Sequence, residues 1–210
     1  MKIALFGSTG PTGKEVIKQA LEAGYGVTAF ARNPEKLQEF KHEKLKIIKG
    51  ELSDREAIED AIRGADGVIS VLGPSGNVKN TALSDGVQNI VDAMKKLGVN
   101  RIIALATPSV KDVNDRFDFK FRFLVALVKT GVRGAYDEIV RIGDIVRSSG
   151  LKWTLVRVGL LNDKSVQPVK VGYYGHGLLS VPISRASIAK FMLDQVTTTD
   201  YIRKAPGISN

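Results

Sequence analysis

The chain opens with MKIALFGSTGPTGKEV, residues 1–16, in which a short apolar run meets a glycine-rich turn. Residues 3–6 predict a buried strand, and the apolar spacing after Lys14 predicts an amphipathic helix that ends at Gly24. A turn from a strand into a helix presents unpaired N–H groups at the helix start, and this is where an α/β sheet binds phosphate. The stretch therefore predicts a phosphate site, with an ordinary tight turn as the alternative.

The rest of the chain alternates between strand-like and helix-period segments, which is typical of βαβ units around a parallel sheet. We therefore expect one doubly wound α/β domain over residues 1–210, with a mostly parallel sheet and a small irregular C-terminal region that contacts substrate. Strands are predicted at residues 3–6, 27–31, 45–48, 68–72, 101–106 and 152–158. Helices are predicted after the glycine turn, from Pro34, after Asp54, over 83–97, over 136–146 and after Ser184. The C-terminal region is expected to hold an edge hairpin at 166–174 and an extended segment at 201–208.

The composition excludes several classes of function. The 210 residues contain no cysteine, so disulfides and thiolate chemistry are excluded, and no metal-ligand spacing is visible. The net charge of +9 comes from scattered lysines and arginines, so we expect a phosphate-bearing small molecule and no nucleic acid. No run reaches the ~20 apolar residues of a membrane span. Because the first strand leaves no room for a signal peptide, we expect a cytoplasmic protein.

The segment DVNDRFDFKFRFLVALVKTGVRG, residues 112–134, fits two periods. The alternation of Phe117, Phe119, Phe121 and Phe123 with charges is typical of a strand, while 117, 121, 124, 125 and 128 share one face of a helix. We favour the helix. A helix that is apolar on two faces must be covered on both, by a lid, a substrate pocket or the second subunit of a homodimer. Ordinary core packing is the alternative.

Each glycine of the turn has its own physical reason. Gly7 permits the tight turn, Gly10 allows a pyrophosphate to approach the backbone, and Gly13 allows the helix to pack closely on the strand. Pro11 suits the first helical position but has no N–H. The expected donors are therefore the backbone N–H groups of Gly10, Thr12 and Gly13, with the Thr12 hydroxyl as a helper.

Two cations follow the second predicted strand. Arg32 stands about twenty residues after the turn, where folds that prefer NAD place an acidic residue for the ribose 2′-hydroxyl. An arginine there favours a 2′-phosphate, and Lys36 lies one helical turn further on. The pair predicts NADP(H) as the cofactor. The alternative is that both are solvated surface charges.

The joint set of motifs resembles a known family. GSTGPTG, AGYGVTAFARNPEKL, VLGP, SDGVQNIVDAMKKLGVNRII, SSGLKWTLVRVG and ISRASIAKFMLDQ are similar to the NmrA-like atypical short-chain dehydrogenases, closest to the flavin reductase/biliverdin reductase branch. The resemblance implies a Rossmann fold that binds NADP(H) at the carboxyl ends of the strands. It places Gly7, Thr9, Gly10, Pro11, Thr12 and Gly13 at the pyrophosphate, Arg32 and Lys36 at the 2′-phosphate, Glu51 and Leu52 by the adenine, and Leu72, Gly73 and Pro74 by the ribose.

The chain departs from the family at three points. Family members commonly have Asp at the position of Glu51, and the phenylalanine-rich segment looks longer than in the biliverdin-reducing members. The Tyr-x-x-x-Lys pair of the wider family is absent, because Tyr136 is followed four residues later by Val140 and Tyr201 by Ala205.

The missing pair restricts the chemistry. The tyrosine of that pair donates a proton to a developing alkoxide, so ordinary ketone reduction is not expected without it. Hydride delivery to a flavin or quinone needs mainly that the two rings are held together. By family position, Thr107 is the candidate catalytic residue, orienting the carboxamide or the acceptor; alternatively, it only ends its strand. Ser109, Tyr136 and His176 are candidates for the acceptor pocket, and His42 is expected at the surface.

Two functions remain from the sequence. One is an NADPH-dependent reductase of a small flavin or quinone acceptor. The other is a non-catalytic NADP(H) sensor that binds a protein partner. An open pocket over the nicotinamide would favour the reductase, and exposure of Phe119 and Phe123 as a patch would favour the partner.

Overall fold

A computed structural model describes residues 1–74 and 81–210 of the chain. Up to β5, strands and helices alternate in the order that the hydrophobic pattern predicts, and two successive helices and a run of short strands follow. The strands are β1 Lys2–Phe6, β2 Gly26–Ala31, β3 Leu45–Lys49, β4 Gly67–Ser70, β5 Arg101–Ala106, β6 Lys152–Val158, β7 Leu160–Asn162, β8 Lys170–Gly172, β9 Pro182–Ser184 and β10 Gly207–Ser209. The helices are α1 Pro11–Glu22, α2 Arg55–Ile62, α3 Ala82–Lys96, α4 Phe119–Gly131, α5 Arg133–Ser148 and α6 Arg185–Thr197, with a 3₁₀ helix at Pro34–Leu37.

The main sheet has the strand order β3-β2-β1-β4-β5-β6-β10-β8 in the described part of the chain. Its strand pairs are parallel except for the last, in which β8 runs antiparallel to β10. The chain moves outward from β1 to β3 and then returns to place β4 on the other side of β1. This reversal confirms the predicted doubly wound Rossmann fold and puts a crevice at the carboxyl ends of β1 and β4.

Helices cover both faces of the sheet because successive side chains of a strand point to opposite sides. In β1, Ile3 and Leu5 face one side and pack with α1 and α6. Ala4 and Phe6 face the other side and pack with α2, α3 and α5. Burial on both faces explains why these strands are continuous apolar runs rather than alternating ones.

Several helix ends form where the local sequence predicts them. The Asp54 side chain accepts a hydrogen bond from the Ala57 N–H at 3.0 Å and caps α2. The Ser184 hydroxyl accepts from the Ser187 N–H at 3.0 Å and caps α6. Gly24 has a φ of 78°, the left-handed conformation that commonly follows the end of a helix.

Three boundaries differ from the prediction. The fourth strand ends at Ser70 rather than at residue 72. The Val71 N–H still donates to the Phe6 carbonyl at 3.0 Å, and Val71 and Leu72 line a cleft. Residues 166–174 hold a single short edge strand, β8, which pairs with the distant β10, so the predicted hairpin is wrong. Residues 201–208 begin as a turn in which Arg203 has a φ of 57°, and only the end of the segment is extended.

The phenylalanine-rich segment forms the predicted helix, α4, but the surroundings of its phenylalanines differ from the prediction. The Asp118 side chain accepts from the Lys120 N–H at 3.1 Å and starts the helix, so Phe117 lies outside it. Phe121 is buried, whereas Phe119 and Phe123 are 73% and 58% exposed. Within this chain only the Phe121 side of α4 is covered, and cover of the other face by a second subunit stays a prediction. In the described residues, no helix is long and apolar enough to cross a membrane.

Candidate functional site

A cleft of about 750 Å³ opens at the reversal point of the sheet. It lies where the carboxyl ends of β1, β2 and β4 meet the start of α3. The predicted cofactor residues that line it are Gly7, Thr9, Gly10, Arg32, Glu51, Leu52, Leu72, Gly73 and Pro74. Residues that come from four separate parts of the sequence therefore share one surface.

Gly7 and Gly13 are required by the packing of the glycine turn. Gly7 has a φ of 82°, and a Cβ there would lie 2.9 Å from the carbonyl carbon of Val71. A Cβ on Gly13 would lie 2.3 Å from the Gly7 carbonyl oxygen, which is a clash with backbone. Both positions exclude a side chain for reasons internal to the protein.

Gly10 is different. Among the described residues, a Cβ at Gly10 would meet only the Gly7 carbonyl oxygen, at an ordinary contact distance of 3.5 Å. The φ of Gly10 is −77°, which any residue adopts. The protein alone therefore does not require glycine here, and the free space over Gly10 fits the predicted approach of a pyrophosphate to the backbone.

The hydrogen-bond donors of the turn differ in part from the prediction. The Gly10 N–H donates to the Gly7 carbonyl at 3.2 Å, so it closes the turn instead of pointing outward free. The first helical bond runs from the Lys14 N–H to the Gly10 carbonyl at 2.9 Å. Among residues 1–74 and 81–210, the N–H groups of Thr12 and Gly13 have no acceptor. Both residues are buried behind the cleft lining, and these two N–H groups are the donors that the start of α1 offers to an anion, whereas Pro11 offers none.

Ser8 supports the turn, and this role was not predicted from the sequence. Its hydroxyl donates to the Phe30 carbonyl at 2.7 Å, and the residue is buried. The bond ties the turn to the end of β2, beside Arg32. No local pattern marks this serine, because its partner lies 22 residues away in the chain.

The predicted cations fall into two positions. Arg32 follows β2 directly, is exposed, and has no carboxylate partner among the described residues. It lines the cleft and also a smaller adjoining cavity of about 490 Å³. Lys36 lies on the 3₁₀ helix and lines neither cavity. Lys49, the last residue of β3, lines the smaller cavity together with Arg32 and is a second cation that the sequence reasoning missed.

The far wall of the cleft depends on a glycine in α3. A Cβ on Gly86 would lie 2.5 Å from the Cβ of Leu52, so only glycine lets Leu52 take its place. The Asn89 side chain donates to the Leu52 carbonyl at 2.9 Å. Gly86 and Asn89 both line the cleft, and neither was singled out in the sequence. A glycine inside a strongly amphipathic helix was the available signal.

The predicted acceptor residues lie apart from the cleft lining. Thr107 follows β5, and its hydroxyl oxygen accepts from the Ser109 N–H at 3.3 Å in a local turn. Tyr136 lies on α5, where Lys129 Nζ is 5.6 Å from its ring centroid. His176 is exposed, with Nε2 3.0 Å from the Asn114 carbonyl oxygen. The structure brings Thr107 and Ser109 together. The roles of all four residues stay predictions.

A buried charged cluster lies in the region where the acceptor was expected. Arg157 of β6 is fully buried, and its guanidinium forms two bonds to the Asp115 carboxylate, at 2.5 and 2.8 Å. It also donates to the carbonyls of Ala205 at 2.6 Å and Val110 at 3.2 Å. We call Arg157, Asp115, Tyr174 and Phe121 the Arg157 cluster. It fixes the segment between β5 and α4 onto the sheet.

Tyr174 completes the cluster. The centroid of its ring lies 4.1 Å from the ring centroid of Phe121 and 4.5 Å from Cζ of Arg157. Its N–H donates to Asp115 at 3.1 Å. Its hydroxyl is buried without a partner in the described residues, and burial raises the pKa of this phenol far above its ordinary value. It therefore stays protonated and cannot act as a base at neutral pH.

Asp115 is held ionised by this environment. Burial by itself raises the pKa of a carboxyl group, but the bonds and charge of Arg157 and the N–H donors of Asp112 and Tyr174 outweigh it. The net result is a pKa of Asp115 below the ordinary value. The pairing could not be predicted from the sequence, because Arg157 lies inside an apolar strand pattern and Asp115 lies in a loop 42 residues earlier.

The fold and the cleft together define an α/β protein with a nucleotide crevice at the switch point of its sheet. A family model described as NAD(P)H-binding matches residues 7–199. The chain belongs to this NAD(P)H-binding family, so the resemblance to dinucleotide-binding dehydrogenases is confirmed.

The curated relatives are longer proteins. A (4-alkanoyl-5-oxo-2,5-dihydrofuran-3-yl)methyl phosphate reductase of Streptomyces griseus is 29% identical over 155 residues, which are 74% of this chain and 46% of that protein. A 2-alkyl-3-oxoalkanoate reductase of Shewanella oneidensis is 28% identical over 136 residues, 56% of this chain and 33% of that protein. The chain thus spans less than half the length of these relatives.

Solved structures share the fold. A short-chain dehydrogenase/reductase of Veillonella parvula in complex with NADP superposes with a TM-score of 0.80 at 16% identity, covering 100% of this chain and 94% of that one. At these identities the likeness shows the fold alone. The residues present fit a dinucleotide, since the N–H groups of Thr12 and Gly13 and the Arg32 guanidinium, which have no partner among the described residues, supply donors for phosphate.

Proposed function

We propose that the chain is an NADPH-dependent oxidoreductase that reduces a small planar acceptor of the flavin or quinone class. The observation that carries the proposal is the shared cleft. One wall is the glycine turn, and another holds Arg32 with no carboxylate partner in the described residues. The proposal treats residues 1–210 as one cofactor-binding domain located in the cytoplasm.

The cofactor end of the cleft has distinct tasks for its residues. The N–H groups of Thr12 and Gly13 would hold the pyrophosphate, with the partial positive charge at the start of α1. Arg32 would bind the 2′-phosphate, and Lys49 lies on the same smaller cavity to support it. Leu52 and Gly86 would form the apolar wall beside the adenine. When bound, NADPH supplies the hydride.

The acceptor end supports an acceptor that needs no strong acid from the protein. The chain lacks the Tyr-x-x-x-Lys pair, and the phenol of Tyr174 is buried with a raised pKa. An isoalloxazine or quinone ring delocalises the charge it receives, so water can protonate it. Thr107, at the carboxyl end of β5, is proposed to orient the acceptor or the carboxamide through its hydroxyl, which stays free to donate while its oxygen accepts from Ser109.

The test uses the purified chain with NADPH and, in turn, FMN, riboflavin and a soluble benzoquinone. Loss of absorbance at the nicotinamide band is followed with and without protein. We expect turnover with at least one acceptor and a slower rate for Thr107→Val, which keeps the shape of threonine but removes the hydroxyl. Ser180→Ala, a hydroxyl removed outside the cleft, is the matched control.

NADPH binding is measured in the same samples by nicotinamide fluorescence. Tight binding without turnover of any acceptor would overturn the reductase proposal and leave the cofactor site intact. Absence of binding would overturn both.

One observation favours the second candidate, a sensor without catalysis. Phe119 and Phe123 stack with ring centroids 6.4 Å apart and are exposed together. Such a patch indicates a macromolecular contact. A sensor would change its affinity for that contact when NADP⁺ replaces NADPH, and pull-down or sedimentation in the two cofactor states distinguishes it from the reductase.

A further inference from the structure

The helix α4 presents an apolar stripe to solvent. Phe119, Phe123 and Leu127 recur every four residues and are 73%, 58% and 53% exposed. Residues at this spacing lie on one face of a helix. Phe117, just before the helix, is also 71% exposed. We call these four exposed apolar residues the α4 stripe.

Cations border one edge of the α4 stripe. By helical position, Arg122 and Lys129 lie along this edge. On the other side, the Lys120 ammonium donates to the Leu179 carbonyl at 3.2 Å and lies 5.6 Å from the ring centroid of the buried Phe121. The Arg122 guanidinium carbon is 5.1 Å from the ring centroid of Phe117, so this charge sits directly against the apolar surface. Residues 119–131 contain no aspartate or glutamate.

The carboxylate nearest in sequence does not neutralise these charges. Asp118 accepts from the N–H groups of Lys120 and Phe121 at the helix start and from Gly175 at 3.3 Å. In the part of the chain that the structure describes, Lys120, Arg122 and Lys129 form no ion pair. The helix therefore combines exposed aromatic rings with uncompensated positive charge.

From this geometry we propose that α4 docks the protein on an anionic lipid surface. A helix that lies in the interface buries aromatic and leucine side chains at the acyl boundary, while flanking lysines and arginines reach the head groups. Attraction between such cations and anionic lipid adds to the apolar term. The net charge of +9 acts in the same direction.

A second copy of the chain fits the same face poorly. A two-fold contact along the α4 stripe would bring two copies of Arg122 and Lys129 close together. A stable interface buries about 800 Å² on each partner. Each fully buried aromatic side chain provides about 150–250 Å², and the three partly covered phenylalanines with one leucine fall short of that total.

The test is co-sedimentation of the full chain with lipid vesicles. One set is phosphatidylcholine alone, and in the other about a third of the lipid is phosphatidylglycerol. We expect binding to the anionic vesicles only, and release as salt is raised. The double variant Phe119→Ser/Phe123→Ser should bind more than tenfold more weakly. Its control is Leu160→Ser/Val166→Ser, which removes two exposed apolar residues elsewhere and should bind like the unmodified chain.

The charges are tested separately with Arg122→Glu/Lys129→Glu, which should also lose binding. Lys41→Glu/Lys46→Glu, with the same change in net charge away from α4, should lose much less. Circular dichroism of each variant checks that the fold is kept.

Several results would overturn the proposal. They are no vesicle binding by the unmodified chain, equal binding to neutral vesicles, or equal losses in the variants and their controls. A dimer in light scattering that Phe119→Ser/Phe123→Ser dissociates, without vesicle binding, would assign the face to a second copy instead.

Discussion

The glycine turn and the Arg157 cluster lie at the carboxyl edge of the same sheet but are built by different means. The turn holds its shape through backbone contacts between residues seven and thirteen, where a Cβ would clash at 2.3 Å. The cluster holds its shape through side chains from β6, from the loop before α4 and from the segment after β8. One is a local structure and the other joins distant parts of the chain.

This difference has a physical consequence for how each region responds to change. A local turn fails when its backbone is forced apart, even by one methyl group. A buried ion pair fails when one partner is removed, because the remaining charge is left without compensation. The two regions therefore predict losses of different kinds.

The largest expected effect is a loss of folding stability when Arg157 is replaced. Arg157→Leu leaves Asp115 without its partner, and breaking such a pair costs about 3 kcal/mol, the lower end for buried pairs because the Asp115 side chain is 16% exposed. The free energy of unfolding is measured in urea. If the two regions are independent, NADPH affinity should change less than stability does.

The double variant Arg157→Leu/Asp115→Leu is the control for this prediction. Removing both charges should recover part of the loss, as replaced buried pairs often do. A loss below about 1 kcal/mol for the single variant would show that the cluster does not behave as a buried pair.

The second effect is at Gly13. Gly13→Ala places a methyl group against the Gly7 carbonyl, and overpacking of this kind costs about 1–3 kcal/mol. NADPH affinity should fall more than tenfold, because the turn that presents the Thr12 and Gly13 N–H groups must shift. Fluorescence titration and urea unfolding measure the two losses.

Gly131→Ala is the matched control, since nothing lies within 4 Å of a Cβ at that helical glycine. It should be neutral or slightly stabilising, because alanine favours the helix by about 0.5–1 kcal/mol. Equal behaviour of the two variants would contradict the close packing at Gly13.

Local features of the molecule could be predicted from the sequence, whereas contacts between distant parts of the chain could not. The first six strands, the glycine turn and the caps at Asp54 and Ser184 depend on residues close in sequence, so period and spacing were sufficient to predict them. The placement of Arg32 on the cleft followed from its position after the second predicted strand, about twenty residues after the turn. These features required no knowledge of distant contacts.

The Arg157 cluster and the open face of α4 could not be predicted in this way. Arg157 meets Asp115 across 42 residues, and an arginine inside an apolar strand carries no mark of its partner. The hydrophobic pattern of residues 117–128 shows that a helix has two apolar faces, but not which face is covered. That depends on Tyr174 and Leu179, which pack against Phe121.

The third effect concerns cofactor preference. Arg32→Ala should lower the preference for NADPH over NADH by about tenfold or more, about 1.4 kcal/mol, because a charge-assisted bond to the 2′-phosphate is lost. The ratio of dissociation constants for the two nucleotides measures it. Lys49→Ala and Lys36→Ala separate the two candidate second cations, and we expect a change in that ratio at Lys49, which shares a cavity with Arg32. An unchanged ratio in Arg32→Ala would exclude this residue from the 2′-phosphate site.

The smallest effect is the loss, as pH falls, of the stability that ionised Asp115 provides. It sharpens the contrast between the two regions. The pKa of Asp115 is lower in the folded chain than its ordinary value, so the unfolded chain binds the proton first as pH falls. The stability that Asp115 provides is complete above about pH 4, the ordinary aspartate pKa, and is lost below it. Urea unfolding of the unmodified chain and of Asp115→Asn should therefore differ by a constant amount near neutral pH and converge in acid. The glycine turn contains no titrating group, so Gly13→Ala should keep its deficit over the same range. A gap for Asp115→Asn that stays constant below pH 4 would show that the carboxylate is not held ionised by Arg157.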